Sequence, residues 1–137
     1  MPRSFRYVPK AQLIKGLVIL TAEFGDFQFQ HPLNVLINNA GCMVNQRTMT
    51  DDGLEKNFAT NTLGTHILTE KLIPKLQQQT KGKPRVIIVS SGGMLTNKMD
   101  FQDLNFEKMM PFDGTMAYAQ NKRQQVFPSF LFLRHSF

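Results

Sequence analysis

With one cysteine, Cys42, this 137-residue chain can form no internal disulfide, and the thiol reads as a small packing residue compatible with a reducing compartment. No apolar run approaches the ~20 residues of a membrane-spanning helix, and no secretory signal is evident. His31, His66 and His135 have no metal-ligand spacing among themselves or with Cys42, which argues against a zinc site. No Gly-x-Ser-x-Gly turn is present, so the serine-hydrolase reading fails. Acidic residues are few, 10 against 16 basic ones, for a net charge of +6. Arg3, Arg6, Lys10 and Lys15 make the first fifteen residues purely basic, and Lys81, Lys83 and Arg85 mark a basic loop. No aromatic-interleaved groove or nucleic-acid motif accompanies them, so they read as solvated surface rather than a nucleic-acid site. A basic, acid-poor start also fits a mitochondrial presequence; the expected compartment is the cytoplasm. There is no internal repeat, and the polar stretch 77–83 is too short to link domains.

What is present is an α/β pattern. Leu33-Asn34-Val35-Leu36-Ile37 reads as a buried strand running into Asn38-Asn39-Ala40-Gly41, a turn of small polar residues where backbone can approach a ligand. Arg85-Val86-Ile87-Ile88-Val89 repeats the pattern and ends in Ser90, Ser91, Gly92 and Gly93. Two parallel strands would thus present polar residues at their carboxyl ends, where open α/β sheets bind ligands. Residues 16–21 offer a third strand of the same kind.

Between the strands, Thr50 can cap a helix with Asp51 and Asp52 in its first turn, running to about Leu72. Its apolar stripe is Leu54, Phe58, Thr65, Leu68 and Leu72. Asn61 falls on that stripe, and a buried amide costs roughly 1–3 kcal/mol unless it is hydrogen-bonded. It therefore needs a specific partner, either backbone or a site group. Gly64 would permit close packing there, or is simply tolerated.

Tyr118 and Lys122 lie 27 and 31 residues after Ser91 and four apart in a helix-forming stretch. On one helix face the ammonium can approach the phenol. A cation favours the phenolate, which suits a phenol to general acid–base work at neutral pH. The spacing alone also fits an ordinary surface pair. Met94, Met99, Met109, Met110 and Met116 fill the intervening loop, where they suit core packing or contact with a lipophilic substrate.

Taken in order, Asn38-Asn39-Ala40-Gly41, Asn61, Ser91 and Tyr118-x-x-x-Lys122 resemble the short-chain dehydrogenase/reductase family, over about residues 33–126. Asp103-Leu104-Asn105-Phe106-Glu107-Lys108 is similar to the retinol-dehydrogenase-like branch, whose serine-to-tyrosine loop is long. The resemblance implies a Rossmann-like α/β fold: a three-layer, doubly wound parallel sheet. It implies NAD or NADP as cofactor, a small-molecule carbonyl or alcohol as substrate, and a homo- or heterodimer formed through the helices at residues 51–72 and 115–126. It assigns Tyr118 as the acid/base, Ser91 as the group holding the substrate oxygen, Lys122 as the tyrosine's partner and ribose ligand, and Asn61 as the residue positioning a relay water. Asn38, Ala40 and Gly41 would line the adenosine side of the cofactor.

The departures from the family are equally specific. None of the nine glycines forms a Gly-x-Gly-x-x-Gly or Thr-Gly-x-x-x-Gly-x-Gly turn to hold a pyrophosphate. Pro128 is expected to stop the Tyr118 helix. The chain therefore divides into an atypical segment 1–32, a family core 33–126 and an atypical tail 127–137, and the fold reads as truncated at both ends. Impaired catalysis is the expectation, with a non-catalytic dimerisation or interaction protein as the alternative.

Overall fold

The computed structural model describes residues 33–78 and 82–136, with side chains as far as Phe127. The expected strand at 16–21 and the rest of segment 1–32 lie outside the described residues.

Two strands, β1 (Val35–Asn38) and β2 (Arg85–Ile88), pair in parallel with Val35 opposite Arg85 and Asn38 opposite Ile88. Parallel pairing needs a crossover, and the long helix between them supplies it. The crossover begins as a π-helical segment (Phe58–Leu63) and continues as α1 (Gly64–Gln77). After β2 comes a 3-10 turn (Gly92–Leu95), then an irregular loop, then α2 (Gly114–Ser136).

β1 alternates in burial, because Leu36 faces α1 while Val35 and Ile37 are exposed. Leu36 packs with Leu72 and Leu76, and Leu33 and Leu68 close that cluster. The opposite sheet face carries Val35, Ile37, Ile87 and Val89, all at least 39% exposed. Parallel strands ordinarily need burial on both faces; among the described elements, helix covers one face only. A second cluster joins Phe58, Phe106 and Ala117, with Leu54, Leu63, Met109 and Phe112 against it. It ties the crossover and the loop to α2. Phe106 enters this cluster with φ of 53°, in the left-handed region unfavourable for an aromatic residue, and is 1% exposed. Of the loop methionines, Met109 packs here, whereas Met110 and Met116 are exposed.

Three helix limits differ from expectation. Thr50 does not cap the crossover; residues 50–54 form a turn in which Leu54 N–H donates to Thr50 Oγ1 and Gly53 takes a φ of 74°. The carboxylate of Glu55, fully buried, receives the Phe58 N–H at 2.9 Å instead and starts the helix there. The helix also passes Leu72 and Pro74, because Leu76, one turn beyond Leu72, gains burial against Leu36. Likewise α2 runs through Pro128 to Ser136. A proline removes one backbone donor from a helix, at a cost of roughly 3 kcal/mol, without forbidding its continuation.

Gly114 opens α2 where it crosses the segment after β1. A Cβ there would overlap Val44 O and lie 2.7 Å from Asn45 Cα, both backbone atoms. Gly114→Ala should therefore lose about 1–3 kcal/mol in chemical denaturation. Gly92→Ala, with open space around the added carbon, serves as the control and should lose less than Gly114→Ala.

Candidate active site

The carboxyl ends of β1 and β2 meet the first turns of α2, and the candidates Asn38, Ala40, Gly41, Asn61, Ser91, Tyr118 and Lys122 are all among the described residues. Asn38, the last residue of β1, is buried; its Nδ2 donates to Thr69 Oγ1 at 2.9 Å, while its carbonyl accepts from Val89 N–H. Its role is to join the strand end to α1. Ala40 and Gly41 follow and are exposed, leaving their backbone accessible.

Asn61 is fully buried in the π-helical segment. Its Oδ1 accepts from Cys42 N–H at 2.8 Å and its Nδ2 donates to Cys42 O at 2.7 Å. This reciprocal pair is the specific partner that a polar group on an apolar stripe requires. The Asn61 carbonyl accepts a hydrogen bond from Gln125 Nε2 on α2, and that same amide nitrogen lies 3.1 Å from Thr65 Oγ1.

Lys122 is 2% exposed. Its Nζ donates to Val89 O at 3.0 Å and lies 5.5 Å from the Tyr118 ring centroid. The ammonium thus sits over the face of the aromatic ring, a favourable place for a cation. Burial holds its pKa below the ordinary lysine value, since desolvation penalises the charged form. Gly41 is where the pieces meet: a Cβ built there would lie 3.1 Å from Asn61 Oδ1 and 3.6 Å from Lys122 Nζ. Tyr118 is half-buried one turn before Lys122.

Both serines make structural contacts. The Ser90 hydroxyl donates to Lys122 O at 3.1 Å and so pins the end of β2 to α2. Ser91 caps the 3-10 turn, its Oγ accepting from Gly93 N–H at 3.3 Å. A Cβ on Gly93 would lie 3.6 Å from Ser91 Oγ and 3.8 Å from Ala119 Cβ, which seats this turn against α2 beside Tyr118. Arg123 reinforces the seat by donating to the carbonyls of Met94 and Asn97.

A model of the short chain dehydrogenases matches residues 24–101. The chain belongs to this family. Over 101 residues it is 64% identical to dehydrogenase/reductase SDR family member 12 of Homo sapiens, a match covering 74% of this chain and 31% of that protein. Retinol dehydrogenase 13 of Mus musculus is 37% identical over 90 residues, covering 66% and 26%. Among solved structures, an uncharacterized protein from Mycobacterium paratuberculosis aligns with a TM-score of 0.68 at 31% identity, covering 88% of this chain and 42% of that one. The chain thus spans under a third of the length of these curated relatives. Membership in the short-chain dehydrogenase family makes its lineage that of an oxidoreductase with a Rossmann-like α/β fold. No helix among the described residues is long and apolar enough to cross a membrane, and no group of three or more metal-ligating side chains occurs there.

Sequence reasoning passed over Gln125, Arg123 and Thr69, which hold the site residues in place. Gln125 had a signal: it lies four residues after Asn121 and three after Lys122, on the helix face that turns inward.

The burial of Lys122 carries a measurable consequence. Its ε-amine should titrate below the chain's exposed lysines in a pH series of lysine 13Cε shifts; a midpoint level with theirs would contradict the burial. Because the folded-state pKa is depressed, the unfolded chain binds the extra proton. Stability should therefore rise with pH between the folded-state value and the ordinary lysine value, and Lys122→Met should remove that part of the slope.

Proposed function

We propose that these residues are the acid–base half of an NAD(P)-dependent dehydrogenase/reductase acting on a carbonyl or alcohol. The observation that carries the reading is the meeting of Asn61 Oδ1 and Lys122 Nζ at Gly41. It brings three separate sequence segments to the carboxyl end of β1, where ligands bind in such sheets. The donor set also fits: Lys122 and the exposed backbone of Ala40 and Gly41 would hold the ribose and adenosine side of a nicotinamide dinucleotide, which supplies or accepts the hydride.

The chain's own part in the reaction is proton management. The Tyr118 phenol gives a proton to a carbonyl oxygen in reduction, or takes one from a hydroxyl in oxidation. The Ser91 hydroxyl holds that oxygen and stabilises the charge developing on it. Lys122, over the Tyr118 ring, assists the phenol electrostatically. Asn61 holds the strand exit in place and would order a relay water behind the lysine. The exposed Met110 and Met116 favour a lipophilic substrate, in keeping with the retinol named for the mouse relative.

These 137 residues contain no glycine-rich turn for the pyrophosphate, so we expect weak cofactor binding and impaired turnover from the chain alone. A non-catalytic role, in pairing with another subunit of the family, is the second reading. It draws support from the apolar sheet face formed by Val35, Ile37, Ile87 and Val89.

Thermal unfolding with and without millimolar NADPH or NADH separates the two readings. A ligand that binds only the native chain must raise the midpoint. The first reading expects an upward shift that survives in Tyr118→Phe, while any turnover of carbonyl substrates is lost in that variant. A cooperative transition that ignores both cofactors would leave only the pairing role.

A further inference from the structure

Two asparagines one helical turn apart perform the same operation on alternate residues of a single extended segment. Asn61 exchanges both of its amide hydrogen bonds with the backbone of Cys42. Asn57 does the same with Val44: the Val44 N–H donates to Asn57 Oδ1 at 2.7 Å, and Asn57 Nδ2 donates to Val44 O at 3.0 Å. Each carboxamide sets an acceptor beside a donor, as the backbone of a neighbouring strand would. Together they act as a two-rung strand edge for residues 42–44.

Asn57 is fully buried, and its orientation is set from outside the ladder. Its Nδ2 also donates to Glu55 Oε1 at 3.0 Å, and a carboxylate there accepts only from the nitrogen end of the amide. The segment is also in close contact with α2, since Val44 O and Asn45 Cα lie where a Gly114 Cβ would stand. That helix carries Tyr118 and Lys122. Immediately before the ladder, Gly41 lies beside Asn61 Oδ1 and Lys122 Nζ.

We propose that Asn57 is a positioning residue for the Tyr118–Lys122 site: with Asn61 it fixes residues 42–44, and through them sets Gly41 against the lysine. The functional part of this proposal rests on the acid–base reading above; the ladder itself does not.

Amide hydrogen exchange followed by NMR on the whole 137-residue chain tests it, read beside the lysine 13Cε titration. In the unaltered chain the ladder requires alternation, with the Cys42 and Val44 amides exchanging at least about tenfold more slowly than the Met43 amide between them. Equal rates at all three would overturn the ladder whether or not any variant folds. Asn57→Ala should speed Val44 exchange at least about tenfold relative to the amides of β2. It should also move the Lys122 midpoint toward that of the exposed lysines, and Asn57→Gln, which keeps the carboxamide, should restore part of both effects. Loss of Val44 protection with an unmoved Lys122 midpoint would show that Asn57 holds the loop without positioning the site, and would overturn the proposal. A chain that shows the alternation and the Lys122 shift but ignores NADPH would instead count against the acid–base reading.

Discussion

One carboxamide, that of Asn61, decides how the end of β1 meets the helix that carries Tyr118 and Lys122. It sits on the apolar stripe of the crossover helix, where an unpaired amide would cost roughly 1–3 kcal/mol. It avoids that cost by pairing with both backbone groups of Cys42. The pairing satisfies the helix residue and at the same time gives the chain leaving β1 an edge to lie against. The π-helical geometry of Phe58–Leu63 coincides with this position, and Gln125 Nε2 donates to the Asn61 carbonyl within it. Such wide turns are rare and gather at functional sites.

Around Asn61 the two helices share an interior that is polar to an unusual degree. Thr65 and Thr69 on α1, and Asn121, Lys122, Gln124 and Gln125 on α2, are all buried. Buried polar groups of this kind specify a unique packing when they are satisfied. Thr62 Oγ1 donates to Gln124 Oε1 at 2.8 Å, and Asn121, with its amide nitrogen toward the carbonyls, donates to Ala117 O and Asn57 O. Among the described residues two apolar clusters flank this interior, Leu36, Leu72 and Leu76 under the strands and Phe58, Phe106 and Ala117 beneath the loop. The site therefore lies between two small apolar clusters, on a floor of hydrogen bonds that orders Lys122 while limiting its access to water.

Much of this was legible in the chain because strong local patterns coincide with the site. Apolar runs ending in Asn-Asn-Ala-Gly and Ser-Ser-Gly-Gly foretell two parallel strands, and β1 and β2 lie there. Asn61 was marked by its polarity on an apolar stripe, a conflict between pattern and residue that often signals a site. The limits of the helices were harder to read, since tertiary contacts override local signals. Thr50, Asp51 and Asp52 look like a helix start, yet Glu55 takes the capping role because Asn105 Oδ1 receives the Glu55 N–H and holds that turn. The expected helix end near Leu72 and the expected stop at Pro128 are both passed, since burial of Leu76 carries α1 onward and α2 continues to Ser136. The ladder partner Asn57 could not be read from one helix, because its meaning depends on Val44 arriving as extended chain from another element.

The double-mutant cycle between Gly41 and Asn61, read by chemical denaturation, tests this account most directly. A methyl group at Gly41 would stand 3.1 Å from Asn61 Oδ1, too close while that oxygen is held by Cys42. If Asn61 fixes the strand exit against the lysine, Gly41→Ala should cost clearly less in an Asn61→Ala background than alone, with a coupling of at least about 0.5 kcal/mol. Losses that simply add would mean that the amide and the glycine are not in tight contact, and the central role given to Asn61 would fail.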